Sequence, residues 1–349
     1  MKSSVARGPT HKQSALWLAA GLALVLAAGL ALTVGPGEFG LAEVLATFGA
    51  KLRGLELEPR AEAILWELRL PRVLLSLLIG AGLGSAGAVT QGLFRNPLAS
   101  PGVLGISTGA AAAVIFGFAL GLDEQALWVT PALAGLGALA TLGLLFGLTS
   151  RRQDLAYLLL TGVALNALAG AVATVILALF LDRYALAQKA MAWMMGSFDG
   201  RGFTQLGWAS GPILVGMTAA WALHRPLDLL VLGEETAATL GVSRGRLRAL
   251  AAVVVGLLVG TSTAAVGVIG FVGLVVPHLA RSLLGIAGHA HARLLPASMI
   301  IGATLMLAVD TLGRALTPTF LAPGALTSLL GGVFFLGLLR RQTQIGDQR

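Results

Sequence analysis

The sequence predicts an all-α polytopic membrane protein of about ten transmembrane helices, with an inverted internal repeat and short broken helices. Composition is the first reason: 56% of residues are hydrophobic, only 11% are charged, and mean hydropathy is +0.85. Soluble domains carry roughly a quarter charged residues. The second reason is a series of apolar runs long enough to cross a bilayer. The third is an offset of 180 residues that matches Gly80 to Gly260, Gly87 to Gly267 and Pro97 to Pro277. The matched runs are the second and seventh, so they cross in opposite directions, a plan that recurs in transporters. The chain has no cysteine, which excludes disulfides and thiolate metal sites. Its net charge of +8 lies between apolar runs, as membrane topology produces, so no nucleic-acid partner is implied.

In order, Met1–Ser14 carries Lys2, Arg7 and Lys12 ahead of the run Ala15–Val34, read as a retained first span. A polar loop to Glu67 follows, holding Glu38, Glu43, Glu56, Glu58, Glu62 and Glu67. Further runs lie near 73–90, 103–122, 127–148, 157–181, 206–223, 249–268, 277–287, 295–313 and 324–339. With the N-terminus inside, fifteen of the 24 Lys and Arg residues fall on inner segments, as the orientation rule requires. Both termini are therefore expected in the cytoplasm.

The stretch 70–110 organises the chain. A helix dense in Gly80, Gly82, Gly84, Ser85 and Gly87 gives way at Arg95-Asn96-Pro97-Leu98-Ala99-Ser100-Pro101, and a helix resumes at Val103. Small residues let membrane helices approach closely, and two prolines four apart stop one helix and start another. A break at membrane depth persists only where protein or a watery path surrounds it. Residues 91–102 are thus expected on a pathway, with Gly87, Gln91, Gly267, Pro277 and His278 as further pathway or break positions. Leu223–Arg248 differs from the other loops. Glu234-Glu235 and Thr236–Leu240 read as a short amphipathic helix ended by Gly241, with Ser243 capping the next span. Such a helix suits docking into a groove on a soluble partner, or lying in the lipid interface.

GAVTQGLFRNPLASPGVLGISTGA, LGEETAATLGV, GVIGFVGLVVPHLAR and LLPASMIIGATLMLAVDTLGR together resemble the FecCD-type permeases. These are membrane subunits of type II ABC importers for iron-siderophore complexes, haem and vitamin B12, and the similarity runs from about Glu67 to Arg341. The resemblance implies a second permease subunit, identical or paralogous, two ATPase subunits and a substrate-binding protein. ATP and magnesium would act on the ATPases, with no cofactor on this chain. It implies one permease domain over 15–341, with repeat halves near 68–181 and 248–340 and a coupling segment at 227–247. Cytoplasmic tails would occupy 1–14 and 342–349.

Position by position, the resemblance implies that Leu232, Gly233, Glu234, Glu235, Thr236, Ala237, Ala238, Thr239, Leu240 and Gly241 form the element that couples to the ATPase. Asn96, Pro97 and Leu98 match a cytoplasmic gate, with Arg151, Arg152, Gln153 and Asp154 as its second layer. Arg69, Arg72 and Arg314 match outward-facing arginines where a binding protein docks, against snorkelling at a helix end as the alternative. The family's Glu-Leu-Pro-x-Gly run is replaced here by Phe320-Leu321-Ala322-Pro323-Gly324, which lacks the acid.

Asp310 is the acid deepest in an apolar run, and an i,i+4 pair with Arg314 is the favoured reading. His278 is read as a hydrogen-bonding group of the pore wall, His289 and His291 as parts of a solvated turn. No G-x-x-x-x-G-K-[ST] occurs, so ATP hydrolysis is expected on another chain. The alternatives are a stand-alone secondary transporter driven by an ion gradient and an intramembrane enzyme. The first needs acidic ion-coupling residues in mid-membrane, the second a metal-binding acidic cluster.

Overall fold

The structure is a computed structural model that describes residues 11–35, 37, 39–126, 128–149, 155–180, 183–286, 290–316 and 321–346. All its regular elements are helical. They are α1 (His11–Thr33), α2 (Leu41–Leu52), α3 (Pro59–Ala61), α4 (Leu70–Phe94), α5 (Ile106–Ala119), α6 (Val129–Thr149), α7 (Leu155–Leu179), α8 (Tyr184–Met194), α9 (Phe203–Ala222), α10 (His224–Val231), α11 (Glu234–Thr239), α12 (Arg244–Val266), α13 (Val272–Leu284), α14 (His291–Leu316) and α15 (Pro323–Gly346). A π-helical stretch, Glu62–Arg69, joins α3 to α4, so the helix continues from Pro59 to Phe94.

Six described helices are long and apolar enough to span a membrane, or seven if α9 and α10, bent by 42°, count as one span. Three shorter apolar helices (Ile106–Ala119, Val272–Leu284 and Pro323–Leu338) lie where the sequence places three further spans.

The bundle is built around α4, which packs against α14, α12, α13 and α9 and is buried along most of its length. Lipid gives helices little hydrophobic reason to associate, so close backbone approach has to supply the contact. A Cβ on Gly80 would lie 2.2 Å from the carbonyl oxygen of Gly302, and one on Gly302 would lie 2.2 Å from that of Gly80. One turn on, a Cβ on Gly84 would meet Ser298 O at 2.4 Å. The small residues thus form the α4–α14 seam. Ser76, Ser85 and Thr90, buried on the same helix, return their hydroxyls to carbonyls of the preceding turn and leave no donor unsatisfied.

The first break falls where the sequence places it. Arg95 caps α4 in the left-handed region at φ 50°, and the amide of Asn96 donates to Gln91 O at 3.1 Å. Leu98 N then donates to Asn96 Oδ1 at 2.9 Å, closing a tight turn before the 3₁₀ segment Pro101–Leu104. The second break lies elsewhere than expected. The chain leaves α12 at Gly267 (φ 81°), turns through Phe271 (φ 63°), and α13 is already under way when it reaches Pro277. Proline lacks the N–H that would bond the carbonyl four residues back. That carbonyl belongs to Gly273, and a Cβ on Gly87 would sit 1.9 Å from it. The carbonyl that Pro277 leaves without its helix donor is therefore covered by the bare Cα of Gly87. Gly87 and Pro277 are partners in packing, and only Gly267 of that group marks a break.

Candidate functional site

At the Leu70 end of α4, Arg69 and Arg314 are 4% and 9% exposed. Their guanidiniums close the C-terminus of α1, whose last carbonyls have no helical partner. Arg69 Nη1 donates to Leu32 O at 2.6 Å and Thr33 O at 3.1 Å, and Nη2 to Gly35 O at 2.9 Å. Arg314 Nη1 donates to Ala31 O at 3.1 Å and Val34 O at 2.5 Å. Both arginines are buried at this end: their Nη donors are spent inside the fold, where two cations also complement the negative end of the α1 dipole.

Arg72 is the arginine of the three that reaches the surface. Its Nε and Nη2 grip the fully buried Asp310 at 2.8–3.1 Å, and its Nη1 pairs with Asp199 on the loop before α9. The expected Asp310–Arg314 pair is present at 3.3 Å, but Arg72 is the principal partner of Asp310. Arg69, Arg72, Arg314, Asp199 and Arg201 line a cleft of about 380 Å³ with Ile64, Leu68 and Phe198. Burial lowers the pKa of Arg201, with Asp199 opposing the shift.

Near the Phe94 end of α4, Gln91 is buried and bridges α4 to α13 twice. Its Nε2 donates to Leu274 O at 3.1 Å and its Oε1 accepts from Arg281 Nη1 at 2.7 Å. His278 stacks edge-on against Phe334 with centroids 5.4 Å apart, within the bundle wall. Trp193 is buried, whereas Met194 and Met195 are exposed at the end of α8.

At the Phe94 end, the turn that exposes Asn96 and Pro97 stands beside the 232–241 segment. α10 buries Leu227 and Leu230, and Gly233 turns the chain at φ 109° into α11, which buries Ala237. Leu232 and Leu240 stay 61% and 56% exposed, with Glu235, Thr236, Ala238 and Thr239 exposed between them. Two contacts fix this segment. Glu234 lies 3.4 Å from Arg244, 3.4 Å from Arg248 and 3.7 Å from Arg95. Asp228 Oδ1 accepts from the backbone N–H of His291 at 2.9 Å and lies 2.6 Å from its Nδ1.

His291 is thus no solvated turn: it is 1% exposed, its amide opens α14, and its ring lies against Gly92. A local reading missed this because Asp228 lies 63 residues away. An acid in an otherwise apolar stretch was the available signal. Ser243 holds the N-cap position of α12 without a side-chain cap bond. Arg151, Arg152, Gln153, Asp154, His289 and Phe320 lie outside the described residues.

The FecCD transport family model matches residues 23–341. The chain belongs to this family. It is 42% identical over 283 residues to the hemin transport system permease HmuU of Yersinia pestis, covering 79% of this chain and 83% of that one. The molybdate import permease MolB of Haemophilus influenzae is 36% identical over 321 residues, covering 90% and 93%. The vitamin B12 import permease BtuC of Klebsiella pneumoniae is 39% identical over 286 residues, covering 82% and 85%. A solved inward-facing structure of a metal-chelate type ABC transporter superposes with a TM-score of 0.80 at 31% identity, over 94% of this chain and 99% of the other. The FecCD chain described here is accordingly a multi-pass import permease.

Proposed function

We propose that this chain is the membrane-spanning subunit of an ATP-driven importer that carries a metal chelate, of the iron-siderophore, haem or cobalamin class, into the cytoplasm by alternating access. It works with a second permease subunit, two ATPases that bind ATP and magnesium, and a substrate-binding protein. The seven longer apolar segments and the three shorter ones together make ten spans, related by an inverted repeat, with both termini in the cytoplasm. The Glu234 end then faces the ATPases and the Arg72 end faces the binding protein.

The observation that carries this reading is the 232–241 segment. Leu232 and Leu240 flank a short helix whose base is tied to α12 and α14 by Glu234 and Asp228. An apolar pair on a fastened helix fits a groove on a soluble protein and transmits a pull to whatever fastens it. Here the fastening includes Arg95, the cap of α4 and the first residue of the turn 95–98 that would form the gate. The secondary-transporter reading relied on Asp310 as an ion-coupling carboxylate, but Arg72 and Arg314 already engage both its oxygens.

The test is co-expression with the cognate ATPase and binding protein in lipid nanodiscs, challenged with ferric siderophores, haem, cobalamin and, given the molybdate relative, molybdate. Cargo-loaded binding protein raises ATP turnover for one of these, and Leu240→Asp removes the stimulation while the chain remains inserted. Absence of any stable complex with an ATPase overturns the reading.

A further inference from the structure

We infer that the groove between α1, α13 and α14 is a binding site for one phospholipid acyl chain, entered from the Phe94 end of the bundle, and that this chain completes the packing of the first half of α1. Assigning the lipid to the leaflet on the ATPase side rests on the importer reading above. The groove and its direction rest on the geometry.

The attachment of α1 is uneven. At the Leu70 end Arg69 and Arg314 hold the carbonyls of residues 31–35, and Ala31 is buried with Val73 and Leu307. The first half meets the bundle through Leu16, Trp17 and Ala20, each only partly buried. Beside that half lies a groove of about 420 Å³. Its walls explain it. α1 presents Ala19, Ala20 and Ala23, whose methyl groups are too short to reach across to Leu279, Leu283 and Leu305 on α13 and α14.

The walls also name the occupant. Thr304 is the polar side chain among the described lining residues, and its hydroxyl is returned to Ile300 O at 2.8 Å. Water or a polar solute finds no partner there, so the groove takes hydrocarbon. The rest of α1 argues against a protein occupant. Leu18, Leu22, Val25 and Leu26 are exposed, and apart from the indole of Trp17 no polar side chain occurs between Ala15 and Leu32. A docked chain would need a polar rim, which this face does not offer. The groove is instead continuous with a purely aliphatic surface, which is what a span turns to lipid.

Size and direction follow from the same residues. Along α14 the lining runs from Ile300 to Ala308, eight steps of about 1.5 Å, or about 12 Å. One leaflet of the hydrocarbon core is about 15 Å deep, so the groove matches a single chain of a single leaflet. It is closed toward the Leu70 end, where Ala27 and Ala28 pack onto the cluster of Ala31, Val73 and Leu307. It runs out toward the Phe94 end past Leu16 and Leu283, near the start of α1 and the end of α13. A chain therefore enters there, methyl end first. Lipid tails are as apolar as leucine, so the gain is one of packing: a chain bounded by three helices makes contacts that a void forfeits.

The experiment uses the full chain in phosphatidylcholine nanodiscs doped with two photoreactive phosphatidylcholines. One carries a diazirine at the acyl terminus, the other beside the headgroup, and adducts are mapped by peptide mass spectrometry. The terminal probe marks Ala23 and Ala308, and the headgroup-side probe marks Leu16 and Leu283. Ala23→Phe, or Ala23→Leu where the larger variant does not insert, fills the groove and loses the adducts at Thr304 and Ala308. Those on Leu18 and Leu26, on the outer face of α1, persist. Leu22→Phe, outside the groove, changes neither set. In detergent, added phosphatidylcholine raises the unfolding temperature of the wild type, and the response is lost in Ala23→Phe because its own ring takes the space. An adduct pattern or lipid response that Ala23→Phe leaves unchanged, or the two probes in reversed order, overturns the site. So does the absence of adducts from both walls, the result for a face covered by a second copy of the chain. None of these readouts involves an ATPase, so the importer reading fails separately, on the assay of the preceding section.

Discussion

At its Leu70 end α4 is held by Asp310, whose side chain is 0% exposed between two arginines, and at its Phe94 end by Glu234, which meets three arginines while still 24% exposed. The chemistry is the same and the setting is opposite. A buried carboxylate between guanidiniums is costly to form and far costlier to break, because removing one partner strands the other charge out of water. A half-exposed cluster exchanges partners with the solvent at small cost. One end of the central helix is therefore fixed by its ion pair, and the other is held loosely enough to follow its neighbours.

The sharpest way to break this contrast is at the fixed end. Asp310→Asn is expected to cost about 3–5 kcal/mol, read as thermal unfolding in detergent. The double variant Arg72→Met/Asp310→Leu recovers much of that loss, since no buried charge is left unpaired. Gly87→Ala comes next, at about 1–3 kcal/mol, because its methyl meets the Gly273 carbonyl. Gly170→Ala, where a Cβ meets nothing within 4 Å, is its control and stabilises the helix by up to about 1 kcal/mol.

At the loose end, Asp228→Ala is expected to cost about 1–3 kcal/mol, since it leaves the buried His291 ring and amide without their acceptor. Glu234→Gln has the smallest effect on stability, under about 1 kcal/mol, and the difference from wild type shrinks as salt is raised. Its consequence appears instead as fewer cargo molecules moved per ATP in the reconstituted importer. A loss at Glu234 as large and as salt-insensitive as that at Asp310 would erase the distinction between the two ends.

What was legible in the sequence follows the same line. The apolar runs, the small-residue face at Gly80, Gly84 and Gly87, and the turn at Asn96-Pro97 are local patterns, and local patterns survive folding. The short helix Glu234–Thr239 was legible because Gly233 and Gly241 bracket it. The tertiary pairings were not. Arg72 and Asp310 lie 238 residues apart, and nothing in their neighbourhoods announces that they meet. Arg69 and Arg314 looked like surface charges at helix ends; only the packing of α1 against α14 and α4 shows that they cap it. Pro277 misled for a different reason. A proline reads as a stop when taken alone, but its cost here is met by a glycine on another helix.

The reciprocal contact of Gly80 with Gly302 has a mechanical meaning. Where two rods touch backbone to backbone there are no side chains to unlock, so tilting one against the other requires no rotamer to change at the crossing. Such a crossing behaves as a fulcrum. It lies between the Arg72 cleft at one end of α4 and the three-arginine cluster at the other. A small inward pull on the loose end would be answered by an outward swing beyond the pivot, and the lever arms on either side are whole turns of helix.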